Sequence, residues 1–209
     1  METELNDLSE LSNETSFQNF INGDLGTGFI EEDEPFFRWS VGFTKKRLTE
    51  AINNHLYERI QAMPENILVE TSSGAYEKEL IKSIGELMSI EITKRGSSGI
   101  VEEMIITGTA ETILVKGQSN ARALLSPEEV TIRKQDGSTL KGWTSLPSAY
   151  FYIDDTNGFV IRGGGFGHGV GLSQNGANCM AQMGYTASDI ILHYYTAVEL
   201  KDMYKLMGE

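Results

Sequence analysis

The sequence has one cysteine and four prolines among its 209 residues, and no long run of hydrophobic residues. The single Cys179 excludes a disulfide within the chain and any zinc site built from several cysteines of one chain. No apolar run reaches the roughly 18 residues that a membrane-spanning helix needs. The N-terminus lacks the basic and then apolar pattern of a signal peptide, so none is expected. With 40% hydrophobic and 22% charged residues, the composition is that of a globular domain with a core.

Basic residues are absent from the first 34 positions, which contain ten Asp or Glu residues. Residues 35–209 hold 20 acidic and 17 basic residues, so most of the net charge of −13 belongs to the N-terminal segment. We predict that residues 1–34 form an acidic, largely flexible segment with one short helix around 14–21. Its apolar face would be Phe17, Phe20 and Ile21. The chain has no basic stripe, so nucleic-acid binding is not expected.

Strand patterns in the middle of the chain and helix patterns at both ends predict an α+β fold with a mainly antiparallel sheet. Apolar residues at every fourth position predict a helix over 45–62, capped by Thr44. A single helical turn is expected at 120–125. Alternating or β-rich runs predict strands at 35–43, within 80–95, and at 100–107, 112–116, 129–133, 150–153, 159–162 and 198–204.

Two short helices are predicted near the C-terminus. Ser173 is expected to cap the first helix, which would run to about Met183 and stop at Gly184. Thr186 would cap the second helix, with Asp189 completing a capping box. The buried face of this second helix is expected to consist of Ile190, Ile191, Tyr194 and Tyr195.

The most unusual segment is GGGFGHGVGLSQNGANCMAQMG at 163–184, in which eight of 22 residues are glycine. In an extended strand, the alternating glycines would share one face, and a ligand could approach that face closely. The competing interpretation is a crowded turn from strand to helix in which only glycine fits. The alternating glycines are Gly165, Gly167, Gly169 and Gly171.

Familiar ligand motifs do not fit this run. The dinucleotide fingerprint fails at its third glycine, the phosphate loop lacks its lysine, and the serine-hydrolase elbow around Ser173 lacks its last glycine. His168 and His193 lie 25 residues apart without a paired-ligand spacing. We therefore predict neither a cofactor nor a metal ion.

A polar cluster of His168, Ser173 and Gln174 remains at the predicted helix N-terminus, beside the glycine surface. Such a surface suits an extended polar ligand such as a sugar chain. His168 is the candidate catalytic residue, because an unperturbed imidazole group titrates near neutral pH. The alternative is that its ring ties two loops together. A helix cap is the simpler role for Ser173.

The C-terminal stretch GGGFGHGVGLSQNGANCMAQMGYTASDIILHYYTAVELKDMY closely resembles the terminal signature of the SpoIID/LytB family, G-x-G-x-G-H-G-V-G-[ML]-S-Q-x-G-A followed by I-L-x-H-Y-Y. Upstream segments agree in order, and the resemblance covers roughly residues 35–204. We therefore predict a partial SpoIID-like domain over 35–209. The upstream segments are Phe37-Arg38-Trp39, the turn at 94–99, the segment at 121–124 and Leu146-Pro147-Ser148.

The resemblance implies a bacterial cell-envelope protein that acts outside the cytoplasmic membrane on peptidoglycan. Family members resemble lytic transglycosylases that cleave glycan strands during sporulation, or amidase enhancers that stimulate a cell-wall amidase. The expected partners are therefore glycan strands and a cell-wall amidase. The implied substrate-binding residues are Gly165, Gly167, His168, Gly169, Ser173, Gln174, His193 and Tyr194.

One departure from the family pattern affects the expected mechanism. The family's catalytic glutamate lies in a segment reading roughly V-x-G-V-V-x-x-E-M-P, which this sequence does not contain. Since glycosidic cleavage needs a carboxylic acid, we expect weak or no cleavage by this chain alone. Alternatives are an acid encoded upstream or on another chain, an acid from the glutamate-rich N-terminal segment, a non-catalytic binding or amidase-stimulating module, and a truncated gene product.

Overall fold

The computed structural model describes residues 11–23 and 28–201. Within these ranges the chain forms five α-helices and ten β-strands. The helices are α1 (Glu14–Asn22), α2 (Lys45–Ala62), α3 (Gln118–Leu124), α4 (Gln174–Gln182) and α5 (Ala187–Tyr194). The strands are β1 (Trp39–Phe43), β2 (Ile67–Glu70), β3 (Tyr76–Glu77), β4 (Leu87–Arg95), β5 (Val101–Gly108), β6 (Thr112–Lys116), β7 (Ile132–Lys134), β8 (Thr139–Leu140), β9 (Phe151–Asp154) and β10 (Phe159–Gly163).

The strands form two five-stranded antiparallel sheets. Sheet A has the order β8-β7-β1-β10-β9, and sheet B has the order β3-β2-β6-β5-β4. Every strand pair in both sheets is antiparallel. The predicted α+β class with mainly antiparallel strands is therefore confirmed, including the helix near the N-terminus and the two short helices near the C-terminus.

Both sheets and α2 share one hydrophobic core. Helix α2 begins where predicted, because the Thr44 hydroxyl accepts a hydrogen bond from the Arg47 amide at 3.2 Å. Its apolar residues recur at every fourth position and are all buried. Burying each such side chain stabilises the fold by roughly 1.5–3 kcal/mol. These residues are Leu48, Ile52, Leu56 and Ile60.

Helix α1, which lies in the acidic N-terminal segment, packs against sheet A. Phe17 is fully buried and Ile21 nearly so, beside Tyr152 of β9. The buried guanidinium of Arg95 lies 4.0 Å from the Phe17 ring and donates a 2.6 Å hydrogen bond to Glu14. The predicted helix is thus confirmed and extends to residue 22, while the division of the chain at 34/35 stays a prediction.

Several sequence-based boundaries differ from the structure. The predicted strand at 35–43 begins as a 3₁₀ turn at Pro35–Phe37, since proline has no backbone N–H for a strand ladder. No strand forms over 198–201, where Val198 and Leu200 are exposed, and 202–204 lies outside the described residues. The buried face expected for α5 reduces to Ile190, because α5 lies on the surface.

No helix in the described ranges is both long and apolar enough to span a membrane.

Candidate functional site: a glycine-rich groove

The glycine-rich segment between β10 and α4 is a loop. Of the two interpretations, the extended strand is wrong, and the segment is a connection from strand to helix as the competing interpretation has it. Every second residue is a glycine at positive φ, with angles of 75°, 115°, 70° and 81° along the segment. Glycine adopts this conformation without steric cost, whereas other residues rarely do. The period of two in the sequence therefore reflects alternation of the backbone and not two faces of a strand. These glycines are Gly165, Gly167, Gly169 and Gly171.

The start of the loop is fixed to sheet A by hydrogen bonds. The Gly165 amide donates to the Phe36 carbonyl at 2.8 Å, and the Trp39 indole donates to the Gly165 carbonyl at 3.1 Å. The buried Ser148 hydroxyl donates to the Gly164 carbonyl at 2.6 Å. The start of the loop is therefore held by Phe36 and Trp39 and also by Ser148.

A second support comes from α3. The Arg122 guanidinium donates to the carbonyls of Leu146 and Pro147 at 2.8 and 3.1 Å. The Gly167 amide in turn donates to the Pro147 carbonyl at 2.9 Å. Burial lowers the pKa of Arg122. The segments around 121–124 and 146–148, which are far apart in sequence, thus meet beneath the glycine loop.

A groove of about 590 Å³ runs along this loop. Of the residues predicted to bind substrate, Gly165, Gly167, His168, Gly169, Ser173, Gln174 and Tyr194 line it. His193 does not line it, and its ring instead packs edge-on against the Tyr194 ring at 4.9 Å.

The far end of the groove is a polar cluster at the start of α4. Ser173 caps the helix as predicted, accepting a hydrogen bond from the Gly176 amide at 3.1 Å, and its hydroxyl donates to the carboxylate of Glu31. Tyr194 lies above Gly176, where any Cβ atom would overlap the Tyr194 hydroxyl and the Glu31 carboxylate. Burial, and then the charge of Glu31, raise the pKa of Tyr194.

A second carboxylate, that of Glu34, lies beside the same helix. It accepts a 2.9 Å hydrogen bond from the Asn175 side chain and lies 3.9 Å from the Cys179 sulfur. Burial, and then the charges of Glu34 and Glu31, raise the pKa of the Cys179 thiol. The acidic segment therefore contributes two carboxylates to the groove.

Aromatic rings form the opposite end of the groove. The Phe166 side chain is 55% exposed, although the Phe36 ring lies 4.7 Å and the Trp143 ring 5.9 Å from it. An exposed phenylalanine supported by other rings offers a flat apolar surface to a ligand.

His168 is exposed and lines the groove. Its Nδ1 accepts a hydrogen bond from the Val170 amide at 3.1 Å, so Nε2 is the nitrogen left to contact a ligand. This contact lies within one loop and does not tie two loops together.

Among the described residues, no group of three or more His, Cys, Asp or Glu side chains could hold a metal ion. The groove residues that sequence reasoning missed include Glu31, Glu34, Phe36 and Phe166. The only signal for the first three was the acidic run EEDE, which is followed by Pro35 and the aromatic pair Phe36-Phe37.

The chain is similar to proteins named stage II sporulation protein D and amidase enhancer, and the predicted resemblance is confirmed. It is 41% identical over 71 residues to stage II sporulation protein D of Bacillus amyloliquefaciens, which is 34% of this chain and 21% of that protein. It is 32% identical over 87 residues to an amidase enhancer of Bacillus subtilis (strain 168), which is 41% of this chain and 12% of that protein. Stage II sporulation protein D of the same strain is 40% identical over 73 residues, covering 32% and 21% of the two chains. The matched segments span about a fifth or less of these relatives, and the chain is SpoIID-like.

Residues 60–171 match the family described as a domain of unknown function (DUF8618), and the chain belongs to that family. The match covers α3, sheet B and the strands of sheet A other than β1. It ends at Gly171 within the glycine loop.

Proposed function

We propose that the glycine-rich groove binds a glycan strand of peptidoglycan, and that the chain is the substrate-groove part of a peptidoglycan-processing protein at the cell envelope, outside the cytoplasmic membrane. The observation that carries this proposal is the meeting of exposed Phe166 with the Glu31 and Glu34 carboxylates in one groove. The names of the relatives, stage II sporulation protein D and amidase enhancer, support the same setting.

The chemistry of the groove matches a sugar chain. Ligand sites combine an apolar surface with a few placed polar groups, and a sugar presents both a C–H face and a rim of hydroxyl groups. Phe166 can contact the C–H face, while the carboxylates and Gln174 accept or donate hydrogen bonds at the rim. The open loop backbone lets an extended strand lie close to the chain.

Binding is tested by retention of the protein on purified peptidoglycan and on glycan strands stripped of peptides. We expect Phe166→Ala to reduce retention about tenfold, because the contact area of one phenylalanine is lost. His168→Ala, which removes the groove's imidazole, should also reduce retention. Tyr185→Ala is the matched control, since Tyr185 is 52% exposed and lies outside the groove. Equal retention of all variants would show that the groove does not bind glycan.

A second candidate function, cleavage of the strand by this chain itself, is favoured by the position of Glu31. Cleaving a glycosidic bond needs a carboxylic acid that protonates the leaving oxygen. Glu31 lies in the groove, where Ser173 contacts its carboxylate. Cleavage of stripped glycan strands would release anhydro-sugar ends.

The cleavage test compares wild type with Glu31→Gln and Glu34→Gln. If Glu31 is the acid, Glu31→Gln lowers release by roughly 10²–10⁴-fold and Glu34→Gln much less. If the wild-type chain binds glycan but releases no anhydro-sugar ends, the chain is a non-catalytic binding module. In that case the purified chain should raise the rate of a cell-wall amidase on the same material.

A further inference from the structure

Four basic side chains surround a small cleft on the outer face of sheet A, and none of them lines the glycine-rich groove. They are Arg38, Arg133, Lys134 and Arg162. The cleft has a volume of about 170 Å³, and no acidic residue of the described chain lines it. None of the four forms an ion pair with a carboxylate in the described ranges. Asp154 and Asp136 act on Arg162 and Lys134 only at longer range, and neither carboxylate lines the cleft. In a protein of net charge −13, this is a local concentration of positive charge.

The register of sheet A aligns two of these arginines. Arg133 of β7 and Arg162 of β10 both pair with Ser40 of the central strand β1. Neighbouring strands lie about 4.8 Å apart, so the two Cα atoms are about 10 Å apart on one face. Both side chains are exposed, and two guanidinium groups can therefore meet an ion above the Ser40 hydroxyl.

Arg38 supplies a fixed charge at the edge of the cleft. It donates to the carbonyls of Phe20, Ile21 and Phe37 at 3.2, 3.1 and 2.8 Å. These acceptors carry no formal charge, and the Phe20 and Phe37 rings lie 5.1 and 4.2 Å from the guanidinium carbon, so the group is held in place. Burial lowers the pKa of Arg38, but arginine stays protonated in proteins. A partly desolvated cation of this kind attracts an anion more strongly than one in water.

The C-terminal end of α1 forms one wall of the cleft. The Asn22 side-chain oxygen accepts a 2.7 Å hydrogen bond from the Tyr152 hydroxyl. The Asn22 side chain, whose amide nitrogen is a hydrogen-bond donor, also lines the cleft. The polar side chains around the cleft thus include hydrogen-bond donors from α1, β1, β7 and β10.

We propose that this cleft binds the phosphate group of an anionic ligand. Guanidinium groups match the oxygens of phosphate in pairs, and several positive charges around one small cleft favour a multiply charged oxyanion. The volume equals that of about five or six water molecules, which suits an ionic group and not a sugar chain. The cleft and the groove share no lining residue, although Arg38 and Lys134 lie over the Phe37 and Phe36 rings, which line the groove. The proposal does not depend on the glycan proposal, because Arg133 and Arg162 have no such contact with the groove.

The test is a titration of the full chain with inorganic phosphate at constant ionic strength, followed by the NMR shifts of the Ser40 and Asn22 amides. We expect saturable shifts at both residues. Arg133→Gln combined with Arg162→Gln should weaken phosphate binding by at least about tenfold, since two charged donors are lost. Both side chains are exposed, so the variant should fold normally.

The matched control is Lys46→Gln combined with Arg47→Gln, which removes the same charge from the exposed surface of α2. It should bind phosphate as the wild type does. Linear, unsaturable shifts, equal weakening in the control, or equally tight binding of acetate would each overturn the proposal. Glycan retention is measured on the same variants and should not change, so failure here is distinct from failure of the groove.

Discussion

The two-sheet body and the C-terminal groove region of this protein are stabilised in different ways. In the body, large side chains such as Phe151 and Leu56 have no exposed surface, and both sheets share one core. From 165 to 201, the buried residues are Gly176, Met180 and Ile190. The body is therefore held mainly by burial of apolar surface, and the groove region mainly by hydrogen bonds, both within it and to distant segments.

Side-chain caps of the two short helices supply part of the hydrogen bonding within the groove region. Ser173 caps α4, and Thr186 and Asp189 form the predicted capping box of α5. The Thr186 hydroxyl donates to Asp189 at 2.6 Å and thereby lowers the pKa of that carboxyl group. Regions with few buried contacts open more readily than the core, as is common at binding sites. The comparison predicts that groove side chains can be changed with little loss of global stability.

The largest expected difference in stability between the two regions comes from replacing one phenylalanine in each of them by alanine. Phe151→Ala should lower the free energy of unfolding by about 3–5 kcal/mol, because it leaves a cavity in the core. Phe166→Ala should change it by no more than about 0.5 kcal/mol, since the ring is 55% exposed. Urea unfolding measures both, and similar losses in the two variants would contradict the division.

A second test concerns the point where the glycine loop leaves sheet A. At Gly163 a Cβ atom would overlap the Trp39 ring and the Tyr150 carbonyl, so Gly163→Ala should cost about 1–3 kcal/mol. Gly42 lies on the adjacent strand β1 with nothing near its missing Cβ, and Gly42→Ala is the control. Thermal unfolding compares the two, and equal midpoints would show that the junction tolerates a side chain.

The smallest expected effect is on the alkylation of Cys179, whose thiol lies beside the Glu34 carboxylate. The raised pKa of Cys179 means that its thiolate forms only at higher pH than usual, so alkylation by iodoacetamide should be slow at neutral pH. Glu34→Gln should lower the pH midpoint of alkylation, because one repelling charge is removed. Part of the shift should remain, since burial is its main cause. Glu58→Gln, on α2, is the control, and a midpoint unmoved by Glu34→Gln would refute the contact.

Elements with strong local signals were predictable from the sequence. Helix α2 begins after Thr44 and ends at residue 62 as expected, because a cap and a four-residue apolar period specify it together. The strands β2, β3 and β8 were not predicted. Strands β3 and β8 have only two residues each, which is too few to show a period. The conformation of the glycine loop could not be decided from the sequence, because alternate glycines are equally consistent with a strand and with alternating backbone angles.

The candidate site was predictable only on its C-terminal side. The signature around Ser173 identifies the loop and the start of α4, but it carries no information on what lies opposite. Glu31 lies 142 positions earlier than Ser173 and meets it only because the tertiary fold brings the two segments together. No local pattern near Glu31 could specify that contact.

The strand order of sheet A has a consequence for how the chain is made. Strand β1 leaves the ribosome early, yet it lies between β7 and β10 and cannot complete its pairing until residue 163 has been synthesised. The strands of sheet B all come from residues 67–116 and can pair long before that. Contacts between distant segments form slowly because a long loop must first close. The groove is therefore assembled last, after every strand of sheet B has become available for pairing.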